Sequence, residues 1–290
     1  MRLPAMDVLG RAAQHFGERQ LHVDAMPADV LRLRLSSGMT RINRMEACAY
    51  LAGSLLVDSG FSHVGPQVNA FLARRAVDAV FLTHHHEDHA GNCGAVARAH
   101  GCPVYLRNPS ARHGEGVAAL RPYRQLWWGE PGAYDPLDAP ARVTTGARTF
   151  TPVPIPGHSA THTALLEERT GIVFTGDLFV SRGASAVMRH EDPFQSITSL
   201  RRVADLEPAL MLTGHALAVE QPARVLRQKA DAMENAAAQV LELHRAGHPP
   251  RDILHRVFPY GRGQDRRFAF FTGGEFSRLN FVHACIRHAP

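Results

Sequence analysis

Apolar residues come in short runs along this chain, and glycine, proline or a polar turn cuts off each run. Residues 30–35, Val-Leu-Arg-Leu-Arg-Leu, alternate apolar and basic, which is the period of a half-exposed strand. Runs at 47–51 and 55–57 flank Gly53 and predict a hairpin that ends at Asp58-Ser59-Gly60. Helical spacing is present over 8–16 and 68–75, and a strand is expected to begin over 19–23. Ala79-Val80-Phe81-Leu82 has no polar interruption and predicts a buried strand. A helix over about 90–100 stops at Gly101, and the next strand starts at 103–106. Further strands are expected at 143–149, 151–155 and 209–212, with helical spacing over 196–206. A hairpin, 164–168 with 172–175, turns on Arg169-Thr170-Gly171. This alternation predicts layered sheets and helices.

Two regions depart from the rhythm. Residues 108–140 carry scattered proline and glycine and predict a loop-rich insert. It holds Tyr123, Trp127 and Trp128, a candidate pocket wall or lid, with arginines for an anion; a hydrophobic plug is the alternative. From 221 the period turns helical, with a long amphipathic helix over 221–247 and shorter ones over 253–258 and 276–288. Residues 260–274, rich in glycine, arginine and aromatics, predict a loop between them.

Composition narrows the classes. The chain has 290 residues, 45% hydrophobic and 20% charged, as in an ordinary globule. No apolar run approaches the roughly 18 residues of a membrane span. The first residues lack the apolar core of a signal peptide, so a cytoplasmic location is the expectation. Cys48, Cys93, Cys102 and Cys285 form no Cys-x-x-Cys pair, which removes zinc-ribbon and thioredoxin readings. The net charge of +5 is nearly all arginine, with Lys229 the single lysine and no long basic run. Nucleic acid is therefore a partner the charge allows but does not favour.

The candidate chemistry starts where the buried strand stops. Thr83-His84-His85-His86-Glu87-Asp88-His89 packs four imidazoles and two carboxylates into one turn. Such a cluster is tolerated in a protein interior chiefly when it is paired or binds a metal. Alternate side chains of an extended segment point the same way, so His84 and His86 can face one ion, and Asp88 and His89 could turn toward a second. Three more strand ends offer ligands: Pro156-Gly157-His158, Thr175-Gly176-Asp177 and Thr213-Gly214-His215. Asp58 ends a strand as well, either as a structural turn residue or as a carboxylate that orients a ligand histidine. His162 fits a hydrogen-bonding role beside the site better than a ligand role.

In this order the motifs resemble those of the metallo-β-lactamase superfamily, over roughly residues 28–216. The His-rich loop is similar to that of glyoxalase II-type thioesterases. The resemblance implies an α+β fold, a four-layer αββα sandwich, with the C-terminal helices as an extension. It divides the chain into a catalytic domain, 1–220, and a helical extension, 221–290. It also implies a dinuclear centre, with His84, His86 and His158 at one metal, Asp88, His89 and His215 at the other, and Asp177 bridging them. Two divalent ions follow, zinc first and manganese or iron as alternatives. The expected activity is hydrolysis of a small ester, thioester or lactone by a metal-bridging hydroxide, with Asp88 orienting it or passing a proton. A metal-dependent phosphodiesterase or endoribonuclease and a mononuclear iron oxygenase of the persulfide dioxygenase kind are the alternatives. The expected partner is a small-molecule substrate, without a membrane, and the C-terminal helices could pair chains as a homodimer.

Overall fold

A computed structural model describes residues 18–43, 45–113, 120–183, 186–215, 217–260 and 262–289; the helix expected over 8–16 lies outside them. Internal contacts divide the chain into two compact units. One takes the described residues within 1–106, 119–149 and 214–216, and the other those within 107–118, 150–213 and 217–290.

A seven-stranded sheet forms in chain order in the first unit: β1 (Arg19–Met26), β2 (Val30–Ser37), β3 (Ala47–Ala52), β4 (Leu55–Val57), β5 (Ala79–Phe81), β6 (Val104–Leu106) and β7 (Leu137–Asp138). The strands β1 to β4 pair antiparallel, and β4 to β7 pair parallel. Parallel pairing needs crossovers. These carry α2 (Gly65–Leu72), α3 (Glu87–Ala90), α4 (Cys93–His100) and α5 (Pro122–Trp127), while α1 (Gly38–Asn43) follows β2. Strands β4 and β5 are wholly buried, as two-sided coverage of a parallel strand requires. Gly101 ends α4 in the left-handed conformation with φ 63°.

The second sheet has the order β13-β12-β11-β10-β9-β8, with β8 (Val143–Thr145), β9 (Arg148–Pro154), β10 (Thr163–Glu167), β11 (Ile172–Phe174), β12 (Leu210–Leu212) and β13 (Ala218–Glu220). The short β13 has no counterpart among the expected strands. Helices α6 (Pro193–Ala204), α7 (Pro222–Arg245), α8 (Pro250–Val257), α9 (Arg262–Phe271) and α10 (Arg278–Arg287) follow. Asp192 caps α6 by accepting from the Phe194 amide at 2.9 Å, ahead of Pro193 in the first turn. One apolar stripe of α7, including Leu226, Met233, Ala237 and Val240, joins Val173, Met211, Leu200, Ile253 and Phe281 in a single core. Among the described residues no helix is long and apolar enough to cross a membrane.

The expected loop over 260–274 is largely α9. Its glycine in the described helix, Gly263, sits in the first turn, where the entropy penalty of glycine weighs least. The stop falls at Thr272-Gly273-Gly274. Likewise, the insert over 108–140 contains α5 and contributes β7.

Candidate metal centre

The registers of β4 and β5 set the first ligand group. Val57 lies opposite Phe81, so both strands stop at one edge, with Asp58 on one and Thr83 on the other. Asp58 turns into the left-handed region at φ 57°, a conformation that costs a non-glycine residue about 1–3 kcal/mol. The turn aims its carboxylate across the strand ends, where it accepts hydrogen bonds from the Thr83 amide (2.7 Å), the Thr83 hydroxyl (2.9 Å) and His89 Nδ1 (2.8 Å). Those bonds to a buried charge offset the strain.

The same bonds decide which imidazole nitrogens face the site. A carboxylate only accepts, so His89 Nδ1 carries the proton and Nε2 carries the lone pair, 3.7 Å from Asp88 Oδ2. His215 Nδ1 donates to the Glu46 carbonyl at 2.9 Å, which leaves its Nε2 as a lone pair 3.7 Å from the same Asp88 oxygen. The single Thr83 hydroxyl proton goes to Asp58, so the hydroxyl accepts from His84 Nδ1 at 3.1 Å. His84 Nε2 then lies 3.0 Å from His86 Nδ1. The ligand atoms of Asp88, His89 and His215 all lie within 4.8 Å of one another.

This donor set fits a divalent metal. Imidazole nitrogens and a carboxylate oxygen, with His84, His89 and His215 each held from behind through Nδ1, are the ligand types and the orienting contacts that such sites use. Close backbone packing fixes the loop itself: a Cβ on Gly91 would come within 2.5 Å of the Ser62 amide, so only glycine fits.

The insert meets this loop. Glu87, one residue before Asp88, is 2% exposed and takes a two-bond fork from Arg124 on α5, with Nη2 to Oε2 at 2.8 Å. Burial pushes the Glu87 carboxyl up, against the pull of Arg124. Burial also disfavours the Arg124 cation, but the Glu87 charge and hydrogen bonds outweigh it and its net shift is upward. The fork geometry requires a carboxylate, so the pair is ionic. Trp127 and Trp128 are buried, and Trp128 packs between Phe61 (ring centroids 5.1 Å apart) and His215 (6.4 Å). Tyr123 is half-buried against Trp127 at 5.4 Å.

The second unit presents its own pair. His158 Nε2 lies 3.6 Å from Asp177 Oδ2, and its Nδ1 lies 3.4 Å from Glu191 Oε1. The carboxylate behind Nδ1 draws the proton there and turns Nε2 toward Asp177. Gly157 carries φ 133°, and a Cβ there would meet the Ser196 amide at 2.6 Å. His162 is buried; its Nε2 lies 3.1 Å from the Thr175 carbonyl and 3.3 Å from the Asp177 amide, and its ring packs 5.5 Å from that of His158. It therefore ties the turn before Asp177 to the turn that carries His158.

Sequence reasoning missed Glu191 and the Glu87–Arg124 pair. Glu87 stands inside the His-rich motif, yet its partner comes from the insert, and no local pattern links the two. Glu191 precedes the cap of α6, far along the chain from His158.

The model of the metallo-β-lactamase superfamily matches residues 49–215. A hydroxyacylglutathione hydrolase of Bdellovibrio bacteriovorus is 30% identical over 162 residues, 55% of this chain; the chain spans 56% of that relative's length. An atrochrysone carboxyl ACP thioesterase of Aspergillus fumigatus is 27% identical over 244 residues, covering 81% of this chain and 70% of the relative. The crystal structure of a β-lactamase domain protein from Burkholderia ambifaria superposes with a TM-score of 0.66 at 20% identity, over 98% of this chain and 89% of the other. The fold is thus the α+β fold expected from the motifs, and its His and Asp clusters indicate divalent metal ions. The match covers more than half of the chain and contains every ligand-bearing turn described above, so the chain belongs to the metallo-β-lactamase superfamily.

Proposed function

We propose that the protein is a metal-dependent hydrolase of small thioesters, and that its two ligand groups serve one dinuclear centre. His84, His86 and His158 would hold the first ion, Asp88, His89 and His215 the second, with Asp177 shared, as the family resemblance implies. The observation that carries the reading is the fixed tautomer of His89 and His215. Each is anchored through Nδ1, and each turns Nε2 toward Asp88. Two relatives named for hydrolysis of acyl-thiol compounds support the thioester over other esters and lactones.

Bound divalent ions would polarise the thioester carbonyl and bring the pKa of water to about 7. The chain's own residues do the rest. Asp88 orients the attacking water and takes its proton. The water oxygen bonds to the acyl carbon, the C–S bond breaks, and the proton passes to the leaving thiolate. Asp58 and Glu191 keep the imidazoles aimed. The arginine of α5 is held by Glu87, which argues against its use as a phosphate grip in a phosphodiesterase.

The test is elemental analysis of protein purified without added metal, followed by thiol release from a panel of acyl-thioesters. About two metal ions per chain with thioester turnover is the expected result. One iron per chain with oxygen uptake would overturn the reading.

A further inference from the structure

The Glu87–Arg124 pair has a position that simple surface electrostatics would not produce. Both side chains are buried, at 2% and 8% exposure, and burying two charges is costly unless the geometry is close and doubly bonded. Here it is: Nε and Nη2 of Arg124 address the two oxygens of Glu87 separately. Glu87 opens α3 between His86 and Asp88, both candidate metal ligands. Arg124 sits in the middle of α5, which is also tied to the turn after β4. His63 Nε2 donates to the Gln125 carbonyl at 3.0 Å, and the Ser62 hydroxyl donates to the Trp128 carbonyl at 3.1 Å. At the end of α5, Trp128 lies beside the ring of His215. Among the ties of α5, the charged one reaches into the loop that carries the candidate ligands.

We propose that Arg124 and Glu87 act as one positioning pair, which clamps the tryptophan-bearing insert onto the ligand loop and holds Trp128 as a fixed wall beside His215. Arg124 touches no reacting atom in this assignment. It acts through Glu87, which sets the turn carrying His86 and Asp88. The catalytic part of the proposal rests on the hydrolase reading; the clamp itself does not.

The chain's composition supplies a probe. It has two tryptophans, and both are in the insert. Tryptophan fluorescence therefore reports on this segment alone, and buried indoles resist quenching by acrylamide. Two variants keep most of the bulk. Arg124→Lys retains the charge and loses the fork, and Glu87→Gln retains an acceptor and loses the charge. Folding of each is checked by its thermal transition.

In the folded variants the Stern–Volmer constant is expected to rise at least about twofold, because releasing the fork frees the indoles from their packed positions. With metal content unchanged, kcat is expected to fall about 10–100-fold while KM moves less than about threefold, as for a misplaced catalytic group. The double variant should lose no more kcat than the worse single one, since the pair acts as a unit. Unchanged quenching in both folded variants overturns the clamp. Additive kcat losses, or wild-type kcat in Arg124→Lys, overturn the positioning role. Wild-type protein without metal or turnover would instead overturn the hydrolase reading, and the quenching arm would still decide the clamp.

Discussion

The two ligand groups solve one physical problem in different ways. In the first unit three of the candidate ligands, His84, His89 and His215, are each backed by a hydrogen bond at Nδ1. Asp58 alone accepts from the Thr83 amide, the Thr83 hydroxyl and His89, and the backbone of Ser59 donates to the His89 carbonyl at 2.7 Å. In the second unit His158 and Asp177 stand apart in sequence, and Glu191 backs His158 with one longer contact of 3.4 Å. A network with several bonds per carboxylate holds its imidazole more firmly than a single charge does. The comparison teaches that the first ligand group is held by several hydrogen bonds from across its unit, whereas His158 is backed by a single carboxylate.

The largest effects should come from the ligands themselves, and they test whether the halves work together. His84→Ala and Asp177→Ala are each expected to lower metal content and abolish hydrolysis. Full metal occupancy in Asp177→Ala, measured by elemental analysis, would leave the first unit as the whole site. Next comes Asp58→Ala, expected to weaken metal affinity or turnover about 10–100-fold, because it frees both Thr83 and His89. Glu191→Gln should cost less, about tenfold at most, since one contact is lost. Competition with a metal chelator ranks the two, and the reverse order would break the comparison.

The smallest effect concerns Lys229, which donates to the Ser181 carbonyl at 2.7 Å and feels the charge of Glu191. Burial lowers its pKa to about 8 in the folded chain. The unfolded value is about 10.4, so between these limits the unfolded chain binds more protons and stability rises with pH. Urea unfolding at about pH 8 and 9.5 should show that rise, and Lys229→Met should flatten it.

Much of the fold was legible because the core strands read as uninterrupted apolar runs. Residues 79–82 and 55–57 could be placed without any partner in view, and Gly101 marked the end of α4. Less legible was α9, where arginine, glycine and phenylalanine together suggested a loop although only the flanking Gly273 and Gly274 stop the helix. The insert read as mostly irregular, because the contacts that order it come from Ser62, His63 and Glu87.

By itself, the sequence determined the candidate ligand types and the strand ends that carry them, because hydrophobic runs, glycine turns and His-x-His-x-Asp-His spacing are local properties of the chain. Only the tertiary structure decided which nitrogens of His84, His89 and His215 face inward, which carboxylates stand behind His89 and His158, and that Arg124 is tied to Glu87. Those facts depend on parallel register between β4 and β5 and on contacts between residues far apart in the chain. No local periodicity encodes them, since a hydrogen bond across the fold leaves its trace in two unrelated stretches of sequence.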